Sequence, residues 1–339
     1  MTEEMQRIVL ASRPEGEATE ENFRLETAPL PQPGEGEVLV KLHYMSLDPY
    51  MRGRMNDAKS YAAPVPVGGT MEAGGVGEVI ASNSPAFEPG DFALGQFGWA
   101  SHACLPADQI RKLDPDMAPL TTALGVLGMP GFTAWHGLDA YGRPKAGETL
   151  VVAAATGPVG SMVGQLAKQA GLRVVGIAGG AEKCKLAEET FGFDACLDHR
   201  ALGSAEALSA ALAAACPGGI DIYYENVGGK VLEAVLPLMN NFGRIPVCGM
   251  IAWYNGSETA LTAPAIWRTV LTKFLSVNGF IIFNHYDRYP EFLKEVAPKV
   301  ADGSIKYLED IAEGLEIAPK AFLSMMKGGN TGKQIVKLA

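Results

Sequence analysis

Residues 151–171, VVAAATGPVGSMVGQLAKQAG, contain a turn whose residue types suit phosphate binding. A helix that begins directly after a buried strand presents free N–H groups and a partial positive charge, and together these bind a pyrophosphate. Gly157 lets the backbone approach the phosphates, and Gly160 lets the helix pack close to the strand. Because Ala155 holds the first position, the pattern is A-x-G-x-x-G and not G-x-G-x-x-G. Its place between a predicted strand and a predicted helix favours a dinucleotide site over glycines that serve packing alone.

The tip of the next predicted strand indicates which dinucleotide is bound. An NAD site normally carries Asp or Glu about 20 residues beyond the glycines, where the carboxylate binds the ribose hydroxyls. Here the tip is formed by residues 178–180, Ala-Gly-Gly, and Lys183 follows at once. A lysine pairs with the additional 2′-phosphate of NADP, which a carboxylate would repel. We therefore expect NADPH to be preferred over NADH, although Glu182 weakens this preference. Lys185 is interpreted as part of a solvated helix face.

Strands and helices alternate from residue 150 onward, which predicts an α/β unit with a doubly wound parallel sheet of the Rossmann type. Strands are predicted over 150–154, 173–178, 195–197, 220–224, 243–248 and 275–280, and helices over 161–170, 181–191, 205–215 and 230–239. Up to about residue 115 short strands, including 38–42 and 74–80, alternate with turns and predict a barrel-like β domain. The last strand, 334–338, is expected to return to that domain. The expected β-rich catalytic domain comprises 1–127 and 305–339, and the expected NADP-binding domain comprises 128–304.

The composition excludes several classes of protein. The 339 residues carry a formal net charge of −10, which argues against nucleic-acid or anionic-membrane partners. The five cysteines form no C-x-x-C pair, so a reduced, cytoplasmic setting is expected. The N-terminus lacks the pattern of a signal peptide. The most apolar window, 120–138, contains four glycines, a proline and a histidine, and is interpreted as buried soluble structure and not as a membrane span.

With these motifs assembled, the chain resembles the zinc-independent double-bond reductases of the medium-chain dehydrogenase/reductase superfamily. This is the branch of the prostaglandin reductases (leukotriene hydroxydehydrogenases), curcumin reductases and plant alkenal reductases. The resemblance covers nearly the whole chain and is carried by residues 46–52, 128–134, 153–160, 225–229 and 329–333. It implies a Rossmann-type NADP-binding domain, a GroES-like catalytic domain and a homodimer formed through the cofactor domains.

The zinc-dependent relatives carry a Gly-His-Glu motif and four clustered cysteines. The corresponding stretch here, 68–74, has no histidine, and the cysteines are too dispersed for a Cys₄ site. No metal is therefore expected. The resemblance then implies hydride addition to the β-carbon of an α,β-unsaturated ketone or aldehyde, with charge developing on the carbonyl oxygen. Tyr254, just beyond a strand end, is the expected catalytic hydrogen-bond donor to that oxygen. Tyr254 could instead serve packing, or the nicotinamide ribose hydroxyl could share its role.

The resemblance also implies the residues that bind the cofactor. They are Gly157, Pro158, Val159, Gly160, Lys183, His199, Asn226, Cys248, Gly249, Phe280, Ile281, Ile282, Asn330 and Met129. Tyr50 and Tyr61 are expected to line the substrate pocket. One position departs from the family pattern, because His199 stands where a tyrosine helps to hold the 2′-phosphate. Histidine can donate to phosphate and Arg200 adds charge, so we expect a rise from pH 6 to pH 8 to weaken NADPH binding more than NADH binding.

Two other functions remain open from the sequence. A quinone reductase of the same fold would also reduce a conjugated acceptor, and a cofactor-binding protein without efficient turnover would retain the same glycine turn. The substrate is expected to be a small molecule in either enzymatic case. The remaining histidines show no spacing typical of a metal cluster or a Ser–His–Asp triad and are interpreted as structural; they are His43, His102, His136 and His285.

Overall fold

The structure is a computed structural model that describes residues 4–256 and 263–338. The chain divides into two units, one formed by Met1–Gly125 with Glu309–Ala339 and the other by Val126–Leu308. The N-terminal segment contributes short strands and one helical turn to the first unit. They are β1 (Glu4–Leu10), β2 (Phe23–Pro29), β3 (Glu37–Ser46), α1 (Met51–Arg54), β4 (Gly75–Ser82), β5 (Phe92–Gly95), β6 (His102–Pro106) and β7 (Arg111–Leu113).

Strands and helices alternate through the second unit. They are α2 (Met129–His136), β8 (Thr149–Ala153), α3 (Pro158–Gln169), β9 (Arg173–Ala178), α4 (Ala181–Glu189), β10 (Ala195–Asp198), α5 (His199–Leu202), α6 (Ala205–Ala215), β11 (Ile220–Tyr224), α7 (Gly229–Val235), β12 (Met239–Val247), α8 (Ala263–Thr272), β13 (Ser276–Gly279) and α9 (Tyr289–Ala301). The chain then returns to the first unit with β14 (Glu309–Glu313), α10 (Ala318–Met326) and β15 (Lys333–Lys337).

The sheet of the second unit is parallel, with the strand order β10-β9-β8-β11-β12-β13. This is the 3-2-1-4-5-6 order of a doubly wound Rossmann sheet. Every residue of β8 is buried, because successive side chains enter apolar layers on opposite faces. Leu150 packs in one layer with Val163 of α3, whereas Val151 packs in the other with Leu208 of α6. The predicted α/β class is confirmed.

The first unit is built around a mainly antiparallel sheet with the order β14-β15-β3-β4-β5-β7, and β6 pairs with β3. Strands β1 and β2 form a separate antiparallel pair. Aromatic rings fill the core beside this pair. The Phe23 ring stacks on Trp99 at 5.4 Å, and Phe322 meets Trp99 edge-on at 5.7 Å. This β-rich unit, together with the parallel sheet, confirms the predicted combination of folds.

Several boundaries differ from the sequence-based expectations for local reasons. Helix α3 begins at Pro158 and not at 161, because proline is favoured in the first turn, where its missing N–H is not needed. Helix α7 ends at Val235, and a 3₁₀ turn containing Pro237 leads into β12 at Met239. The apolar window 120–138 forms a 3₁₀ turn at Leu120–Leu124 and the short helix α2. Within the ranges 4–256 and 263–338, no helix has the length and apolar character needed to cross a membrane.

Candidate active site

The parallel strands of the second unit end at one edge of the sheet, where hydrogen bonds join the turns that follow them. Asn226 Nδ2, after β11, donates to the carbonyl oxygen of Ala153 at the end of β8, at 2.8 Å. The Glu225 carbonyl oxygen accepts from the backbone N–H groups of Cys248 and Gly249, which follow β12. Ligands of such sheets bind at this carboxyl edge, beside the point where the strand order reverses. The predicted residues of the β8, β11 and β12 turns are therefore brought together here.

The glycine turn leads directly from β8 into α3. Gly157 is the N-cap of α3, and its N–H donates to the Ala154 carbonyl at 2.9 Å. A Cβ added at Gly160 would lie 2.3 Å from that same carbonyl oxygen, so the helix could not keep its approach to the strand. A Cβ at Gly157 would meet only the Ala154 oxygen, at 3.3 Å. Gly160 is therefore required for packing, whereas Gly157 keeps the N-terminus of α3 clear, as a bound pyrophosphate requires.

Basic side chains converge at the tip of β9. A Cβ added at Gly179 would lie 2.8 Å from Arg200 Nε and 3.1 Å from His199 Nε2, so both side chains rest against this glycine. Among the residues that the structure describes, buried His199 Nδ1 has no hydrogen-bond partner. The pKa of His199 is lowered chiefly by burial and then by the positive charges of Lys230, Arg200 and Lys183. This collection of cations fits an additional phosphate group at the tip of β9.

The lowered pKa of His199 changes the pH range in which NADPH binding is expected to weaken. A protonated histidine favours a phosphate, and this contribution is lost as the pH rises through the pKa of the histidine. Because burial and the neighbouring cations hold the pKa of His199 below its ordinary value of 6.5, the loss lies toward the acid side of the range from pH 6 to pH 8. Bound phosphate would shift the pKa upward again.

Asp198 is a structural residue of this region that the sequence-based reasoning missed. Its Oδ1 accepts from the backbone N–H of Gly180 at 2.8 Å and from that of Arg200 at 2.9 Å. The hydrogen bond from Gly180 is the leading cause of the lowered pKa of this carboxyl group. Asp198 therefore joins the turn after β9 to the turn after β10 and caps α5. An aspartate at a strand-to-helix junction is a recognisable signal for such a cap.

Glu225 is a second missed residue, and it organises the turn that carries Asn226. Its carboxyl group is buried, and Oε1 accepts from the Tyr223 hydroxyl and from the N–H groups of Val227 and Gly228. Burial raises the pKa of this carboxyl group despite the three donors. A carboxylate directly after an apolar strand and before two glycines was the available signal, since such turns leave backbone N–H groups to be satisfied.

The hydroxyl of Tyr254 lies beside Gly249, in the segment that follows β12. It accepts from the Met250 backbone N–H at 3.3 Å, and a Cβ added at Gly249 would lie 3.2 Å from it. Gly249 therefore leaves room for the tyrosine. The backbone N–H groups of Ile251 and Ala252 donate to the carbonyl oxygens of Asn226 and Val227 and hold this segment against the β11 turn.

Other predicted cofactor residues of this unit contribute mainly backbone. Burial raises the pKa of the Cys248 thiol to about 12, so Cys248 is unsuited to act as a thiolate nucleophile. The side chains of Phe280 and Ile282 are buried in the core, and Ile281 between them is extended. The segment 280–282 would therefore meet a ligand through its main chain. Met129, in the first turn of α2, is half-buried and packs against the same core.

Within the first unit, Tyr50 and Tyr61 share one cation. The Arg54 guanidinium lies 4.4 Å from the ring centre of Tyr61 and 5.6 Å from that of Tyr50, and its Nε donates to Glu72 at 3.2 Å. Burial, followed by the charge of Asp48, raises the pKa of the Tyr50 phenol. Tyr50 is half-buried and Tyr61 is exposed.

Asn330, also in the first unit, is held locally, because its Nδ2 donates to the Gly332 carbonyl at 2.8 Å. The histidines that were interpreted as structural include His136 and His285, whose rings stack at 4.2 Å in the second unit. Among the residues described, no group of three or more His, Cys, Asp or Glu side chains could hold a metal ion.

Comparisons with known proteins place these features in one family. Residues 6–113 match the family model for the N-terminal domain of oxidoreductases, and residues 158–298 match the model for zinc-binding dehydrogenases. The chain is 52% identical to the NADPH-dependent curcumin reductase of Escherichia coli (strain K12), covering 98% of this chain and 96% of the relative. It is 42% identical to the NADP⁺-dependent 2-alkenal reductase of Nicotiana tabacum, covering 90% and 88%.

A solved structure agrees with these relatives. The crystal structure of CurA from Vibrio vulnificus in complex with NADPH superposes with a TM-score of 0.94 and 48% identity, covering 98% of this chain and 99% of CurA. The two family matches, the sequence relatives and this structural similarity agree with the resemblance that the motifs indicate. The chain therefore belongs to the zinc-independent branch of the medium-chain dehydrogenase/reductase family.

Proposed function

We propose that this protein is an NADPH-dependent reductase of the carbon–carbon double bond in α,β-unsaturated ketones and aldehydes. The observation that carries the proposal is the Tyr254 hydroxyl at the end of β12, beside Gly249, on the same sheet edge as the glycine turn. The named activities of the curcumin and 2-alkenal reductases support this reaction class. The protein is thus an NADP-dependent oxidoreductase acting on conjugated double bonds.

Cofactor binding begins at the glycine turn. The N-terminus of α3, comprising Gly157, Pro158, Val159 and Gly160, binds the pyrophosphate through the helix dipole and the N–H groups of Val159 and Gly160, because Pro158 has no N–H and that of Gly157 donates to the Ala154 carbonyl. Lys183 and His199 bind the 2′-phosphate, to which the cations around Gly179 are complementary. The main chain at 248–249 and 280–282, together with Asn226, holds the nicotinamide end. Met129 and, from the first unit, Asn330 complete the proposed set.

Bound NADPH supplies a hydride, which forms the new C–H bond at the β-carbon of the substrate. The electron pair of the double bond moves toward the carbonyl, and negative charge develops on the carbonyl oxygen as an enolate. Tyr254 donates its hydroxyl hydrogen bond to that oxygen, which stabilises the charge at the moment it develops. A proton from water at the α-carbon completes the saturated product. Tyr50 and Tyr61 are the proposed substrate-binding residues of the first unit.

The test compares the wild type with Tyr254→Phe, using NADPH and a medium-chain enone. We expect kcat to fall about tenfold or more, with near-normal NADPH affinity, because the variant removes the hydrogen bond to the developing charge. It also removes the acceptor of the Met250 N–H, which lies in the segment after β12 and not in the glycine turn. NADPH consumption gives the rate, and mass spectrometry with NMR identifies the product. A saturated ketone supports the proposal. An allylic alcohol, or turnover of quinones in place of enones, would contradict it.

The second unit also carries an apolar surface suited to a second copy of this chain. Strand β13 ends the sheet order, and among the described residues it pairs only with β12. Trp267 and Leu271 lie four residues apart on α8, hence on one helix face, and are 65% and 75% exposed. Phe274 stacks on Phe242 at 5.2 Å, and both rings are exposed. A sheet edge without a further strand among the described residues, together with exposed apolar side chains on the same unit, is typical of an interface.

We therefore propose a homodimer in which β13 and α8 of two copies face each other. Phe274→Asp places a charge in this surface and should shift the protein to a monomer, as measured by size exclusion with light scattering. Met117→Asp, which changes an exposed apolar residue of the first unit, is the control and should leave the mass unchanged. A dimer that persists in Phe274→Asp, or a wild type that is already monomeric, would refute this arrangement.

A further inference from the structure

Lys230 joins two turns at the carboxyl edge of the second-unit sheet. It is the second residue of α7, immediately after the glycines that follow Glu225. Its Nζ donates to the carbonyl oxygen of His199 at 2.8 Å and to that of Gly203 at 3.1 Å. The lysine therefore bridges from the β11 turn, which carries Asn226, to the turn formed by α5.

Helix α5 depends on such partners because it is a single turn, His199–Leu202. One turn of helix fixes many backbone angles for few hydrogen bonds and is not stable alone. Asp198 caps its beginning, accepting from the Arg200 N–H, and Lys230 binds carbonyl groups at its first residue and just beyond its end. The orientation of His199 and Arg200 is therefore set from both sides, by one carboxylate and one ammonium group.

The same ammonium group contributes charge to the site. Four charged side chains act electrostatically on His199: Lys230 from α7, Arg200 from α5, Lys183 from α4 and Asp198 from β10. Three of them are positive and one is negative. The negative group, Asp198, already accepts hydrogen bonds from the N–H groups of Gly180 and Arg200. The net charge around His199 is positive, which favours the binding of an anion.

From this geometry we infer that Lys230 is a positioning and specificity residue, which holds His199 and Arg200 toward the 2′-phosphate of NADPH and so sets the preference for NADPH over NADH. The inference rests on the proposed placement of the 2′-phosphate at Lys183 and His199. It extends that placement to a residue on the neighbouring turn, whose contribution is made through the backbone of α5.

The experiment measures the dissociation constants of NADPH and NADH by isothermal titration calorimetry at pH 6 and pH 8. Lys230→Met should weaken NADPH binding about tenfold and leave NADH binding within about twofold, since only NADPH carries the phosphate that the cations serve. The loss should be larger at pH 8 than at pH 6. Without the Lys230 charge the pKa of His199 rises, so protonated histidine partly compensates at the lower pH. Lys230→Arg, which keeps charge and donors, should restore most of the preference.

Lys273 provides a matched control. Its Nζ also donates to two backbone carbonyl groups, those of Pro237 and Met239, but at the amino end of β12. Lys273→Met removes the same type of interaction away from the carboxyl edge and should leave the NADPH-to-NADH ratio unchanged. The inference is wrong if Lys230→Met weakens the binding of NADPH and NADH equally. It is also wrong if Lys230→Met lowers the NADPH affinity no more than Lys273→Met does.

A parallel titration of Lys183→Met separates this inference from the proposed site itself. If Lys183→Met reduces the preference for NADPH and Lys230→Met does not, the 2′-phosphate site stands and only the role of Lys230 fails. If neither variant changes the preference, the proposed 2′-phosphate site is refuted, and the inference with it.

Discussion

Gly160→Ala tests whether the close approach of α3 to β8 is required for both stability and cofactor binding. The added Cβ would lie 2.3 Å from the oxygen and 2.9 Å from the carbon of the Ala154 carbonyl. Ordinary contacts of this kind exceed 3.4 Å, so helix and strand must separate by about 1 Å. Both contacting atoms belong to the backbone, and no side-chain rotation relieves the overlap. The carbonyl is held further by the hydrogen bond from Gly157.

The expected magnitude is the difference between two terms. Forcing an additional methyl group into a packed core costs about 1–3 kcal/mol. Replacing glycine by alanine inside a helix stabilises the helix by up to about 1 kcal/mol, which offsets part of that cost. A net loss of about 1–2 kcal/mol lowers the Tm of a unit of this size by about 2–8 °C. Because the displaced N-terminus of α3 serves the pyrophosphate, which both dinucleotides share, NADPH and NADH should weaken by the same factor.

Differential scanning calorimetry with and without NADPH identifies the transition of the cofactor-binding unit, and calorimetric titration gives the dissociation constants. Gly218→Ala is the control, because a Cβ there meets no atom within 4 Å. It should change neither quantity. A Gly160→Ala protein with the wild-type Tm and wild-type affinity for both cofactors would refute the steric argument.

Two further predictions concern buried titratable groups. The pKa of His136 is lowered to about 4, first by burial, so the unfolded chain binds the proton more readily between about pH 4 and pH 6.5. Acidification from about pH 6.5 to about pH 4 should lower the free energy of unfolding by up to about 3 kcal/mol. In urea titrations at several pH values, His136→Phe should make the free energy of unfolding less dependent on pH over this range. The same pH dependence in the wild type and the variant would contradict the prediction. Lys333→Met leaves buried Asp48 without its ion pair at 2.8 Å and should destabilise by about 3–5 kcal/mol. Adding Asp48→Asn should recover part of that loss, and an undiminished loss in the double variant would argue against an ion-pair origin.

The β8–α3 turn shows which features can be predicted from a local sequence pattern. The strand, the glycine spacing and the lack of an acid at the tip of β9 were readable because each depends on residues close together in sequence. The fold class followed from the alternation of strands and helices, and α6 was predicted with its observed limits, Ala205–Ala215. The end of α7 was missed, since the 3₁₀ turn at Pro237 and the early start of β12 depend on pairing with β11 and β13.

The site illustrates the opposite case. The side chains of Asp198 and Lys230 each bind backbone groups of another turn, and no spacing within their own segments identifies those partners. The lowered pKa of His199 likewise depends on charges from three other elements and on burial, so its pH window could not be placed from the residue type alone.

By itself, the amino-acid sequence determined the α/β class, the glycine turn that opens α3 and the resemblance to zinc-independent double-bond reductases. These follow from hydrophobic periodicity and from glycines whose missing side chains have local consequences. The tertiary structure alone decided which carboxylates and ammonium groups hold the turns of the carboxyl edge, and how burial shifts their protonation. The physical reason is that parallel strands bring turns that are distant in sequence to one edge, where hydrogen bonds and charges act through space.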